Sequence, residues 1–434
     1  MYRVESKEKQ VVYTDEEERS HVCIDRQNFM GMYLAESPKA LQPEEIPRAV
    51  REPVDEGERL SAIVGRKHGR TAAIIISDAT RGVPTEEAAA ILLEELEAGG
   101  IRKEDVVFVV ALGVHRDATK EEIKGILGHL AEEVRVENHN AYEEGRLVYL
   151  GNTSRGTPVK INRTVYDSDI VVTIGKVELH DMAGFSGGPK SILPGVAGEE
   201  TILINHRPEM IVDPGSRAGN FKGNPIHEDM AEAAAMCGVD YAVSIVMNGE
   251  YQIAGIFSGN LTASHEAAAE FVKGHCMIVL PRKPDIYLVC PGKPLNIDMY
   301  QGVKALIALR PLLEAKSTVI LYGQFQEGIN SDDFFEPFLK YPDLRKLKKF
   351  VWEHYRIQMD HIVPIQEILQ RGVRVLIVSE NVSAEDIKAM HMEKCDTLQE
   401  ALDTAILRSD AKCPQVAICP QSWRSLFCLK DKEI

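Results

Sequence analysis

No apolar run in the chain approaches the roughly 18 residues that a membrane-spanning helix needs, which excludes a protein built around such helices. The opening residues MYRVESKEKQ lack the apolar core of a secretory signal, so a cytoplasmic location is expected. The eight cysteines are scattered with no C-x-x-C pair, and they read as reduced core thiols rather than a zinc or redox site. H-E-x-x-H is absent, as are internal repeats and low-complexity tracts. Positive charge is scarce: 50 Lys and Arg stand against 66 Asp and Glu, a net −16, which would repel nucleic acid and anionic lipid. The one basic run, LRKLKKF, reads as a solvated helix face. A chain this acidic can still hold an anionic small molecule, but the pocket must then supply its own cations. Isolated Arg and Lys residues beside glycine-rich loops are the ones to follow.

What is present is alternation. At 434 residues, 44% hydrophobic and 27% charged, the chain suits two globular domains. Apolar runs of strand length alternate with helical patterns, the signature of α/β architecture. TAAIII (71–76) leads through SDATRGVP into the helix TEEAAAILLEELEAGG, and DVVFVVALG (105–113) leads through VHRDAT into KEEIKGILG. A third strand, DIVVTIG (169–175), ends in a long glycine-rich loop. VDYAVSIVM and YQIAGIFSG flank Asn248-Gly249, a hairpin turn, and SHEAAAEFVKGH comes next as a helix. After PRKP near 281–284 a second set begins: strand DIYLVC, helix YQGVKALIALRPLLEA, strands STVILYG and VRVLIVSE, and helices SAEDIKAM and TLQEALDTAI. These patterns predict an N-terminal domain over 1–280 and a C-terminal domain over 281–410. The last strand, QVAICP (415–420), could pair with either domain, so the 411–434 segment could complete the N-terminal one.

The loop after the third strand contains GFSGGPKS (184–191), which half-fits two motifs. Gly184, Ser186 and Gly188 match a serine nucleophile elbow, but the strand stops at Gly175, and Pro189 and Pro194 interrupt the helix that an elbow needs directly after its serine. Gly184, Lys190 and Ser191 sit at Walker A spacing, but Pro189 removes a backbone N–H that such a loop needs. What remains is a lysine in a glycine-rich loop, with His180 upstream and His206 downstream. His115 at the second strand end and Arg81 in the first loop complete a set of polar residues at positions where α/β sheets bind ligands.

DATRGVP (78–84), LGVHR (112–116), GKVELHDMAGFSGGPKSILPGVAGEETILINHR (175–207) and YQGVK (300–304) together resemble, in the same order, the nickel-pincer lactate racemase family. The resemblance spans most of the chain and implies two α/β domains with the active site in the cleft between them. It implies a nickel-pincer nucleotide, pyridinium-3-thioamide-5-thiocarboxylic acid mononucleotide with nickel, joined covalently to Lys190, with His206 as the protein's nickel ligand. His115 and His180 would be the catalytic pair, working on the C2 hydroxyl while the C2 hydrogen moves as hydride. Asp78, Thr80, Arg81 and Tyr300 would contact the cofactor, and Arg81, Gln301 and Lys304 would hold the substrate carboxylate. The three-residue spacing of Gln301 and Lys304 puts both on one helix face.

The resemblance makes the expected function inversion of C2 in a 2-hydroxy acid, an isomerase reaction. Its partners would be that small molecule and the proteins that make the cofactor, with no nucleic acid and no membrane. Lactate racemase places a tryptophan near the substrate in a segment loosely matched to RIQMDHIVPIQEIL (356–369). No tryptophan stands there, Trp352 and Trp423 falling outside, while Gln358, Asp360 and His361 fall inside. That departure points to a substrate larger or more polar than lactate, malate-like or a sugar acid such as gluconate. Lactate itself is the first alternative. A zinc hydrolase using His115, His180 and His206 is a second, and a carrier or sensor that holds the cofactor without turnover a third.

Overall fold

A computed structural model describes residues 1–54 and 56–430, which form two compact units. One comprises residues 37–275, the other residues 1–36 with 276–430.

In the unit of residues 37–275 a six-stranded sheet runs in the order Ile253–Gly259, Tyr241–Met247, Ile170–Lys176, Ala72–Ser77, Val106–Ala111, Arg135–Asn138. Its neighbours are parallel except for the Tyr241–Met247 and Ile253–Gly259 pair, the hairpin that Asn248-Gly249 predicts. The central strands are buried on both faces, which is why they read as unbroken apolar runs. Helix Thr85–Gly99 packs Ala88, Leu92 and Leu96 into this core and ends at Gly100, whose φ of 107° suits the left-handed cap. Helix Lys120–Leu127 starts at a Thr119 and Glu122 capping box. All three strands that carry candidate residues therefore deliver them to one edge of the sheet, at their C-terminal ends.

The second unit holds its own six-stranded parallel sheet, in the order Glu393–Cys395, Arg374–Val378, Thr318–Tyr322, Ile286–Val289, Val416–Ile418, Phe29–Met32. Two expectations are corrected here. Residues 1–36 join this unit rather than the first: Phe29–Met32 forms its edge strand, and strands Tyr2–Ser6, Gln10–Asp15 and Ser20–Asp25 form a small antiparallel sheet packed on it. The Tyr322 hydroxyl donates to Asp15 Oδ2 at 3.0 Å and stands 2.7 Å from the Tyr13 hydroxyl, so a buried polar chain ties the N-terminal strands down. The strand Val416–Ile418, which could have paired with either domain, pairs within this sheet. The segment 300–315, expected as one helix, breaks at Val303 into one-turn pieces, Met299–Gly302 and Lys304–Ile307. Gly302 lies against the Phe325 ring, which a Cβ there would meet at 2.4 Å.

Candidate active site

Ala72–Ser77 and Val106–Ala111 are paired so that Ser77 faces Ala111, and the loops leaving them run side by side. Asp78, buried at the first strand end, caps the turn Ala79–Arg81 by accepting from the Thr80 backbone N–H at 2.9 Å and from the Thr80 hydroxyl. Its other oxygen lies 2.7 Å from His115 Nδ1. Burial raises the Asp78 pKa, but the His115 hydrogen bond, the Arg81 charge and Thr80 outweigh it and hold the carboxyl below its usual range. An ionised Asp78 can only accept, so His115 donates from Nδ1 and the neutral ring presents Nε2 as a base.

The third strand continues into a two-residue hairpin, Leu179–His180 against Gly184–Phe185. His180 Nδ1 accepts from the backbone N–H groups of Met182 at 3.3 Å and Ala183 at 3.2 Å, and Asp181 Oδ1 lies 3.2 Å from the same nitrogen. The amides suit the neutral ring and the carboxylate suits the protonated one, so each state of His180 has a partner.

Ser186 is not a nucleophile. Its hydroxyl donates to the Lys176 carbonyl at 2.8 Å and accepts from the Glu178 N–H at 3.0 Å, fastening the loop to the strand end. Gly187 and Gly188 then take φ of 70° and 52°, which only glycine adopts readily, and Lys190 rides on the single 3-10 turn Gly188–Ser191. The Lys190 carbonyl accepts from Gly195 N at 3.0 Å, while the Gly195 carbonyl accepts from Gly113 N at 2.9 Å. The lysine loop is thereby tied to the loop of His115.

His206 caps the helix Glu199–Asn205 and is buried. Its Nδ1 donates to the Ile202 carbonyl at 3.2 Å, which leaves the lone pair on Nε2. Burial first, and then the nearby Lys190 charge, push its pKa down to about 3. A neutral imidazole with its other nitrogen held by a carbonyl is what a metal ligand requires. Among the described residues no three His, Cys, Asp or Glu side chains come together as a metal-holding group. His115, His180 and His206 are therefore not gathered as a zinc-type ligand group among the described residues.

Tyr300, Gln301 and Lys304 belong to the second unit. Lys304 Nζ donates to Gln301 Oε1 at 2.8 Å, so the pair shares one face. The Tyr300 hydroxyl donates to Asp360 Oδ1 at 3.2 Å and its ring lies 4.5 Å from the His361 ring. Gln358 is separate, accepting from the Ser331 hydroxyl at 2.9 Å in a cavity of about 400 Å³ lined also by Asn330, Asp332 and Asp333. Sequence reasoning misses Asp181 and the aromatic wall of Phe221, His227 and His265 beside the lysine loop. A histidine on the buried stripe of SHEAAAEF is the available signal.

Comparison with known proteins assigns the class. Residues 15–219 match the lactate racemase N-terminal domain and residues 281–423 the lactate racemase C-terminal domain. The chain is 30% identical over 377 residues to a lactate racemase of Thermoanaerobacterium thermosaccharolyticum, covering 85% of this chain and 87% of that one. It is 28% identical over 408 residues to that of Lactiplantibacillus plantarum, covering 92% and 94%. The structure of the lactate racemase apoprotein from T. thermosaccharolyticum superposes with a TM-score of 0.87 at 26% identity, over 94% of this chain and 98% of that one. The protein is an isomerase of the racemase class. It belongs to the lactate racemase family.

Proposed function

We propose that the chain inverts C2 of a 2-hydroxy acid, with His115 and His180 moving the hydroxyl proton. The observation that carries this reading is the Asp78–His115 pair: a 2.7 Å contact to a buried carboxylate fixes which nitrogen faces outward. His115 takes the hydroxyl proton at Nε2, Asp78 stabilises the imidazolium, and His180, able to hold either state, serves the opposite face. Arg81, Gln301 and Lys304 supply the hydrogen bonds and positive charge for the carboxylate. Lys190 is the covalent anchor and His206 the nickel ligand of a nickel-pincer nucleotide, with Thr80 and Tyr300 contacting it. When bound, that group supplies the acceptor and donor of the C2 hydrogen as hydride, which avoids a carbanion beside an ionised carboxylate.

The experiment is turnover to equilibrium in deuterium oxide with C2 read by NMR. Retention of the C2 hydrogen is expected, because a hydride held away from water does not exchange. Extensive deuterium at C2 would replace this reading with a proton-transfer racemase.

For the substrate, the polar group of Asp360 and His361 around Tyr300 supports an acid larger or more polar than lactate. Lactate is the second reading, supported by the names of the relatives. Rates on lactate, malate and gluconate decide between them: fastest turnover of lactate rejects the larger-acid reading.

A further inference from the structure

The lysine loop is held by a residue that none of the sequence motifs includes. His265 lies on helix Leu261–Cys276, on the buried stripe that also carries Leu261, Ser264, Ala268 and Ala269. Its Nε2–H donates to the Ser186 carbonyl at 2.9 Å. The same ring occupies the space a side chain at Gly188 would need, with its Cγ 2.3 Å from where a Cβ would stand. One imidazole thus sets the residues on both sides of Gly187, just before the turn that carries Lys190.

The ring is itself braced. Phe221 lies 4.8 Å from it, stacks on His227 at 4.1 Å and touches Phe185 at 5.0 Å. Burial pushes His265 and His227 down to about 4, and the Lys190 charge adds to the effect in both. Both rings are therefore uncharged at neutral pH, and the hydrogen bond to Ser186 comes from a neutral ring with a single tautomer. A tether formed at a lysine depends on where its amine stands, and a displacement of an ångström is enough to cost such a step heavily.

We propose that His265 is a positioning residue for Lys190: by holding the Ser186 carbonyl and closing the space over Gly188, it sets the direction in which the lysine leaves its turn. The inference rests on reading Lys190 as the cofactor anchor. It assigns His265 no contact with substrate.

Three variants separate the bond from the shape. His265→Gln keeps an N–H near the position of Nε2, His265→Asn places its amide too short to reach, and His265→Phe keeps a ring without a donor. Each is produced with the cofactor-making proteins and its Lys190 peptide weighed for the adduct. In unloaded protein, the rate at which a water-soluble acetylating ester modifies Lys190 is read against Lys176, with the melting temperature alongside. Gln is expected to keep adduct and acetylation rate close to wild type, whereas Asn and Phe lose adduct by about tenfold or more and shift the rate, without a matching fall in melting temperature. Wild-type adduct levels and rates in Asn and Phe would overturn the proposal. So would losses in all three variants that track melting temperature, which is what a merely structural residue would give. Fully active wild-type protein without an adduct would overturn the anchor reading instead, and the acetylation rates in unloaded protein would still decide whether His265 sets the lysine.

Discussion

Asp78 Oδ2 stands 2.7 Å from His115 Nδ1, although 37 residues separate them. Parallel pairing of their strands brings the two loops together, and the Thr80 cap turns the remaining carboxylate oxygen toward the ring. The family resemblance assigns Asp78 to the cofactor, and the structure adds the contact of its carboxylate with the His115 ring. Asp78→Asn can flip to donate to Nδ1 and trap the wrong tautomer. Turnover is expected to fall roughly 10²–10⁴-fold, as when the carboxylate of a catalytic triad is lost. The Lys190 adduct and nickel content should remain, by peptide mass and metal analysis. Unchanged turnover would remove Asp78 from the mechanism.

His206 and the other two site histidines should separate by metal content. His206→Ala is expected to strip nickel while leaving the adduct on Lys190, because its buried, neutral ring, with Nδ1 held by the Ile202 carbonyl, is the proposed nickel ligand. His115→Ala and His180→Ala should keep nickel and lose turnover. Equal nickel loss in all three would contradict these assignments.

Ser186→Ala should leave turnover near the wild-type value. Its hydroxyl serves two backbone groups, Lys176 O and Glu178 N, so the change costs stability of about 1–3 kcal/mol, read as a lower melting point. Loss of activity in a fully folded variant would reopen the nucleophile reading.

Acid should destabilise the unloaded protein well before its carboxylates titrate. His139, whose Nε2 donates to the Ala197 carbonyl at 2.9 Å, and His265 are both pushed by burial from 6.5 down to about 4. Above pH 6.5 both folded and unfolded states are neutral and nothing is lost. Between 6.5 and 4 the unfolded chain binds protons that the folded chain refuses, so each ring costs about 1.4 kcal/mol per pH unit. Below its normal range Asp78 adds a loss of the same sign as its carboxylate protonates. Melting temperature should therefore fall from pH 6.5 downward, and less steeply in His139→Gln. A flat profile from pH 7 to 5 would contradict the burial of these rings.

Much of the fold is set by local pattern. Ala72–Ser77, Val106–Ala111 and Ile170–Lys176 are legible as buried parallel strands because they are nearly continuous apolar runs, and Thr85–Gly99 because its stripe and its glycine stop agree. The glycines and the lysine of GFSGGPKS are equally legible, since positive φ needs glycine. The unit to which the N-terminal strands belong is not legible, because what holds Tyr13 and Asp15 is Tyr322, some three hundred residues away.

The sequence by itself determined which residue types stand at the strand ends and in what order, because a strand's register and a turn's φ depend on near neighbours. Only the tertiary structure decided what those residues are to one another. Asp78 belongs to His115, and His265 to Ser186, because hydrogen bonds between distant segments exist only after the sheet has stacked its strands and packed helix Leu261–Cys276 against the lysine loop. Which nitrogen each histidine leaves outward comes from those contacts.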